Sequence, residues 1–313
     1  MFDTRFGSQL ELPRLSPEVS DAIAEGRPVV ALETTLLAHG LPAPVNREVA
    51  AELEELVRAA GAVPATVAVL DGVARIGLSP DELDRVCGGG LAKLSCRDLG
   101  PAIALRATGA TTVAGTVTLA ALAGIPVFGT GGLGGVHRGA DRSWDVSADL
   151  DVLAGTPVLT VCSGVKSMLD VPATLERLET LSVPVLGYRT DRFPCFYLRD
   201  SGLPCPWRVN DAHQVAEVVA AHRAIGSRRG LVLANPIPED AELDRALHDR
   251  VLAEGLVLAE QRGVRGQQVT PMLLEYFHQA TGGVSLAGNI ALVRSNIELA
   301  AQVAGALAAI RSR

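Results

Sequence analysis

Residues 128–149, "FGTGGLGGVHRGADRSWDVSAD", gather six glycines, two arginines, one histidine and three aspartates into 22 positions. Glycine-rich turns let backbone N–H groups approach an anion, and His137 and Arg138 flank these turns. Asp145 and Asp149 could each offer oxygen to a hard divalent ion such as Mg²⁺ or Mn²⁺, which keeps most of its waters while bridging to a substrate. Gly129, Gly131 and Gly134 also satisfy the dinucleotide fingerprint G-x-G-x-x-G. That fingerprint needs a helix directly behind it, where this chain has His137, Arg138, Gly139 and Asp141. A P-loop fails as well, because Gly-Val-His stands where Gly-Lys-Ser/Thr is required. A glycine-lined pocket for an anion is therefore favoured over a loop whose glycines merely permit turns. Ser147 or Asp149 has a second available role, as the cap of a helix in "SADLDVLAG".

The lysines sharpen this reading. Of 28 basic residues only Lys93 and Lys166 are lysine. Codon bias toward arginine accounts for the excess, but arginine cannot replace a lysine that must lose its proton. A neutral lysine amine can attack a carbonyl carbon. Lys166, in "VLTVCSGVKSMLD", stands just past a strongly apolar strand, where a Schiff-base lysine of an α/β enzyme would stand. Lys93, in "AKLSCRDL", is followed by Arg97, a pair suited to a phosphate or sugar hydroxyls. Together these groups describe a lysine-dependent enzyme acting on a small phosphorylated carbonyl compound or sugar.

The elements that would position these groups are short apolar strands alternating with helices. The strands are "PVVALETT", "TTVAGT", "IPVFGT", "TPVLTVCSG", "VPVLGY" and "GLVLANP". The helices include "LSPEVSDAIAEGRP" with Ser16 as cap, "PVNREVAAELEELVRAAG" ended by Gly61, the capped "SPDELDRVCGG", "VPATLERLETLS" and "NDAHQVAEVVAAHRAIG". Strands apolar throughout imply a mostly parallel sheet covered on both faces. Asp71-Gly72, between two apolar runs, predicts a hairpin. The fold class expected is α/β: a single large α/β/α domain with a mostly parallel mixed sheet and a small hairpin element. Ligands of such folds bind beyond the C-terminal strand ends. Glu33, Thr34 and Thr35 follow one strand, Thr130 and the glycines another, Ser163, Gly164 and Lys166 a third and Asn235 a fourth, so these segments could converge.

Bulk composition excludes several classes. Twenty-eight basic against 35 acidic residues give a net charge of −7 with no basic block, which disfavours nucleic-acid binding. Five cysteines without a C-x-x-C pair argue against a disulfide framework or zinc site. A charged N-terminus and the lack of an 18-residue apolar run point to a cytoplasmic protein with no membrane partner. Residues 1–14 read as a flexible N-terminal extension.

The segments "ALETTLLAHGLPAPVN", "GAVPATVAVLDG", "KLSCRDL", "GATTVAGT", "TGGLGGVHRGA", "WDVSADL", "CSGVKSMLD", "VPVLGY", "LVLANPIP" and "TPMLLEYFHQATGG" occur in this order from about residue 30 to about residue 300. Through them the chain resembles the pseudouridine-5′-phosphate glycosidases, also called pseudouridylate synthases or indigoidine-synthase-A-like proteins. The resemblance implies one domain over residues 1–313 that reversibly cleaves a small nucleotide, pseudouridine 5′-phosphate, to uracil and ribose 5-phosphate. It implies a lyase of the hydro-lyase class acting as a glycosidase in nucleotide catabolism, a homotrimer, and Mn²⁺ as cofactor, with Mg²⁺ or another divalent ion able to substitute. The family's nucleophile falls on Lys166 and its proton donor on Glu33. Its substrate contacts fall on Lys93, Val113, Ser147, Ala148 and Asp149, and its metal ligand on Asp145. Thr130, His137 and Asn289 match polar family positions near the pocket. Two departures are "CGGGLAKLS", shorter than the family's version, and Ala-Gly ahead of Asn289. A sugar kinase would need an ATP-phosphate site with a catalytic aspartate, and "TGGVSLAGNIALV" lacks one. A non-catalytic sugar-phosphate sensor would not need lysine, glutamate and metal-ligand positions intact.

Overall fold

The computed structural model describes residues 13–311. Its strands are β1 (Arg14–Leu15), β2 (Val29–Leu32), β3 (Val63–Leu70), β4 (Val73–Ile76), β5 (Ala92–Leu94), β6 (Gly109–Thr111), β7 (Val127–Gly129), β8 (Leu159–Cys162), β9 (Val185–Tyr188), β10 (Trp207–Val209) and β11 (Leu231–Ala234). Its helices are α1 (Pro17–Ala24), α2 (Val45–Ala59), α3 (Pro80–Cys87), α4 (Cys96–Ala104), α5 (Val113–Leu122), α6 (Ala140–Ser143), α7 (Ala148–Gly155), α8 (Val171–Thr180), α9 (Ala212–Ala224), α10 (Arg245–Gln261), α11 (Val269–Ala280) and α12 (Val284–Arg311).

The strands form one sheet in the order β1-β4-β3-β2-β7-β8-β11-β9-β10, with β6 joined to β3 and β5. From β3 to β10 every neighbouring pair is parallel. The antiparallel pairs β3/β4 and β3/β6 are confined to one end. Successive strand residues point to opposite faces, so the unbroken burial of β2, β8 and β11 means that both faces are covered. This is the mixed, mostly parallel α/β architecture expected. The hairpin turn also forms at Asp71 and Gly72, whose φ angles of 52° and 77° suit the turn that joins twisted strands. A Cβ on Gly72 would come within 2.7 Å of the Arg106 backbone, so glycine is needed there for space as well.

The caps form where the residue types place them. Ser16 accepts from Val19 N at 3.3 Å, and Ser79 with Glu82 builds a reciprocal capping box on α3. One expectation is corrected. "TTVAGT" is not a strand: β6 stops at Thr111, and Thr112 accepts from Gly115 N at 3.3 Å to start α5 at Val113. Residues 284–310 form a helix long and apolar enough to cross a membrane by composition, yet 56% of its most apolar window is buried. This helix, α12, lies against β2, β7 and β8 and against α2 and α9, as a core helix does. Of the extension expected over residues 1–14, residues 1–12 lie outside the described residues, whereas Arg14 pairs with Arg75 at the sheet edge. All five cysteines are free, and burial pushes the Cys162 thiol up to about 12.

Register fixes the site. β2 and β7 align Leu32 with Gly129, and β7 and β8 align Gly129 with Val161. The segments after these three strands therefore emerge side by side at the C-terminal edge, as open α/β sheets present their ligand sites.

Candidate active site

A cavity of about 380 Å³ opens at that edge. Its lining includes every site residue that the resemblance implies: Glu33, Lys93, Val113, Thr130, His137, Asp145, Ser147, Ala148, Asp149, Lys166 and Asn289. Asn235 and Arg138 do not line it. Asn235 instead donates to Ser295 Oγ and Asn296 Oδ1, each at 3.0 Å. The charge of Arg138 is felt at Cys195 and His248, away from the pocket.

Glu33 follows β2 and is 8% exposed. Its two carboxylate oxygens accept separately from the hydroxyls of Thr130 and Thr35. A carboxyl held by two hydroxyls from different segments has a fixed direction. Lys166 is presented by the loop after β8, whose backbone pairs with the glycine loop: Lys166 N donates to Leu133 O at 3.1 Å and Leu133 N to Gly164 O at 2.9 Å.

Behind both loops sits Asn296 of α12, fully buried. Its Nδ2 donates to the carbonyls of Thr130 (2.8 Å) and Gly131 (3.2 Å) and meets Ser163 Oγ at 3.1 Å. Its Oδ1 accepts from Asn235 Nδ2. One amide thereby ties the residue that orients Glu33 to the strand end that carries Lys166.

The glycines serve close approach. Gly129, Gly131, Gly132, Gly134 and Gly135 are absent from the positive-φ positions. A Cβ on Gly132 would come within 2.6 Å of the Phe196 ring, and one on Gly134 within 2.6 Å of Asp149 Oδ2. Asp149 needs that proximity. Its Oδ1 accepts from Ala114 N at 2.9 Å and its Oδ2 from Gly134 N at 2.8 Å. The carboxylate is 6% exposed, and each of its oxygens accepts from one of these backbone donors. Ser147 is the cap of α7, accepting from Asp149 N at 3.2 Å.

Asp149 therefore locks two helix starts beside the glycine loop. Val113 begins α5 and Ala148 begins α7, and both line the cavity. The positive ends of two helices, with Lys93 and Arg97 near them, suit an anionic group such as phosphate. Burial lowers the pKa of Lys93, and the neighbouring Lys166 ammonium lowers it further against the pull of Asp149 and Glu33. Burial also lowers that of His137, with Asp145 opposing and Lys93 and Lys166 assisting. His137 Nδ1 stands 3.7 Å from Asp145 Oδ2.

Asp145 keeps 31% of its side chain exposed at the cavity. Among the described residues no three His, Cys, Asp or Glu side chains cluster as a closed metal cage. This donor set fits a largely hydrated hard cation held through one carboxylate, and does not fit a dehydrated protein cage. Sequence reasoning missed Asn296, the wall residues Thr270, Pro271 and Leu274 of α11, and His39. Asn296 and the α11 residues reach the site from far along the chain, and His39, only six residues after Glu33, carries no local signal that separates it from its neighbours.

Residues 18–306 match the family described as indigoidine synthase A like protein. The chain is 57% identical over 307 residues to a pseudouridine-5′-phosphate glycosidase of Streptomyces griseus, covering 97% of this chain and 95% of the relative. It is 58% identical over 294 residues to a pseudouridine-5′-phosphate glycosidase of Salinispora tropica, covering 93% and 91%. Among solved structures, the prealnumycin C-glycosynthase AlnA in complex with ribulose 5-phosphate superposes with a TM-score of 0.89 at 38% identity, covering 96% of this chain and 99% of that one.

Proposed function

The chain belongs to the indigoidine synthase A-like family, and from that premise we propose that it reversibly cleaves the carbon–carbon glycosidic bond of pseudouridine 5′-phosphate to uracil and ribose 5-phosphate. The observation that carries this reading is the meeting of Lys166 with a hydroxyl-held Glu33 in one cavity. The names of the relatives support the same bond class, and the ribulose 5-phosphate complex of the C-glycosynthase supports a sugar phosphate.

The chemistry explains why such a site needs a lysine. The base is attached through carbon, so protonating a nitrogen or oxygen creates no ordinary glycosidic leaving group. A two-carboxylate oxocarbenium route is correspondingly ill suited. Attack of the Lys166 amine on C1 breaks the bond from C1 to the ring oxygen, which takes up the proton lost by the amine and becomes a hydroxyl; with the ring open, the nitrogen lone pair can expel the base once C5 of uracil has been protonated. Glu33 delivers that proton, its direction set by Thr35 and Thr130. Cleavage of the C1–C5 bond leaves an iminium on Lys166, which water hydrolyses to release ribose 5-phosphate and the free amine. The phosphate lies against the starts of α5 and α7, with Lys93 beside them. Asp149 holds those two helix starts and the glycine loop in register.

Asp145 would hold a divalent ion, Mn²⁺ or Mg²⁺, which supplies positive charge beside the anionic substrate when bound. In the cleavage direction the reaction is a step of nucleotide breakdown.

The test uses the purified protein with uracil, ribose 5-phosphate and Mn²⁺, against a chelated control. A metal-dependent pseudouridine 5′-phosphate mass supports the reading. No product from folded, metal-loaded protein refutes it, and the search then moves to other bases on the same sugar phosphate.

A further inference from the structure

A second cavity, of about 670 Å³, adjoins the substrate pocket. The two share a wall of His39, Gly40, Pro271, Leu274 and Asn289. Two polar atoms in that wall are buried without a hydrogen-bond partner: His39 Nδ1 and Asn289 Oδ1. The other ring nitrogen of His39, Nε2, lies 3.0 Å from the Leu91 carbonyl. A carbonyl only accepts, so the ring hydrogen sits on Nε2, which leaves Nδ1 as the acceptor. The wall thus carries two unmet acceptors. On its far side, Tyr197, Met272 and Leu286 help to form the second cavity.

Part of this wall comes from α11, which is bracketed by glycines of positive φ. Gly263 (64°) and Gly266 (60°) precede it, and Gly282 (59°) and Gly283 (93°) follow it. A Cβ on Gly263, Gly266 or Gly282 would meet nothing within 4 Å. These glycines therefore serve backbone conformation rather than close packing, which suits a segment able to shift its angle.

We propose that the second cavity is the release chamber for the free pyrimidine base, entered through the wall that α11 shares with the substrate pocket. The inference rests on the reading above, in which Lys166 still holds the sugar phosphate when the base is set free. The base must then leave first, by a path the phosphate does not occupy. The phosphate end lies toward Val113, Ala148 and Lys93. The segment that carries Glu33, which protonates the base, runs on to His39 in the shared wall. Uracil presents ring N–H donors, the complement of two unmet acceptors. Its flat faces suit the apolar sides of Met272 and Leu286.

Leu286→Trp fills the chamber without altering a residue that lines the substrate pocket, and Met272→Trp does so from α11. In both variants KM for uracil in the condensation direction rises about tenfold or more, and exchange of labelled uracil into pseudouridine 5′-phosphate slows by a similar factor. Trapping of ribose 5-phosphate on Lys166 with borohydride, in the absence of uracil, stays within about twofold of wild type. Leu286→Ala leaves both measurements at wild-type values. Wild-type exchange rates in both tryptophan variants overturn the proposal. So does an equal loss of trapping and exchange, which would mark damage to the whole site. If the unaltered protein traps no ribose 5-phosphate, the failure belongs to the underlying reading of the reaction.

Discussion

Replacing Asn296 by alanine removes an amide that satisfies the carbonyls of Thr130 and Gly131, the hydroxyl of Ser163 and the amide of Asn235. The side chain is fully buried, so water does not replace it without opening the packing between α12 and the β7 and β8 ends. A buried polar group left unpaired costs about 1–3 kcal/mol. The Thr130 carbonyl at 2.8 Å and the Asn235 amide at 3.0 Å are the two best-made of these bonds. Losing both bonds predicts a loss of about 2–6 kcal/mol, a large share of the roughly 5–15 kcal/mol that holds a typical fold. Urea unfolding measures it through the transition midpoint at unchanged slope. A catalytic effect accompanies it. Thr130 orients Glu33 through its hydroxyl, and Ser163 leads into the Lys166 loop, so kcat falls more than KM rises. Asn296→Asp, with an oxygen in place of the donating nitrogen, fails to rescue either quantity. The reasoning is refuted if Asn296→Ala unfolds within about 0.5 kcal/mol of wild type, the range of an inconsequential substitution, or if kcat is unchanged in a destabilised variant.

Further outcomes are expected at the site and beyond it. Lys166→Ala abolishes turnover and borohydride trapping with an unchanged circular-dichroism spectrum, and substantial residual activity would remove the lysine from the mechanism. Glu33→Gln keeps a side chain of the same shape between Thr35 and Thr130 but loses the transferable proton, so kcat drops by about 10² to 10⁴. Gly134→Ala forces a Cβ against Asp149 and Ser147, spreads the starts of α5 and α7, and shows a raised KM for ribose 5-phosphate together with a lowered melting temperature. His248 gives a pH signature. Burial lowers its pKa, with Asp249 opposing and Arg245 and Arg138 assisting, so the folded state resists a proton that the unfolded chain accepts below about pH 6.5. Stability therefore falls as pH drops below that value, by at most about 1.4 kcal/mol per pH unit from this group. Urea midpoints of wild type and His248→Leu at pH 5.5 and 7.5 should converge toward the acid side, and parallel losses would count against the assignment.

What could be read from the chain follows the range of the signals. Apolar strands, the Asp71-Gly72 turn and the caps at Ser16 and Ser79 are encoded within a few residues of where they act, and they form as expected. The chemical groups were legible for the same reason, since Glu33, Thr130 and Lys166 each stand just past a strand recognisable by itself. The element misread, α5, and the long helix α12, to which no element was assigned, are apolar over much of their circumference and carry no polar stripe from which a helical period can be read. The glycines of the 128–149 stretch announced a requirement but not its cause. Gly132 yields to Phe196, and Gly129 to Ile297 of α12, whose Cδ1 would stand 2.5 Å from an added Cβ. Asn296 lies one residue before that isoleucine and 166 positions from Thr130, a pairing no local pattern can specify. These two neighbours on α12 explain each other. The missing side chain at Gly129 lets α12 approach the end of β7, and only that approach brings the Asn296 amide within reach of the Thr130 and Gly131 carbonyls. Enlarging Gly129 should therefore disorient Glu33 as Asn296→Ala does, although neither residue touches the carboxylate. The helix that covers the sheet also sets the direction of the acid, so packing and chemistry are coupled at this position.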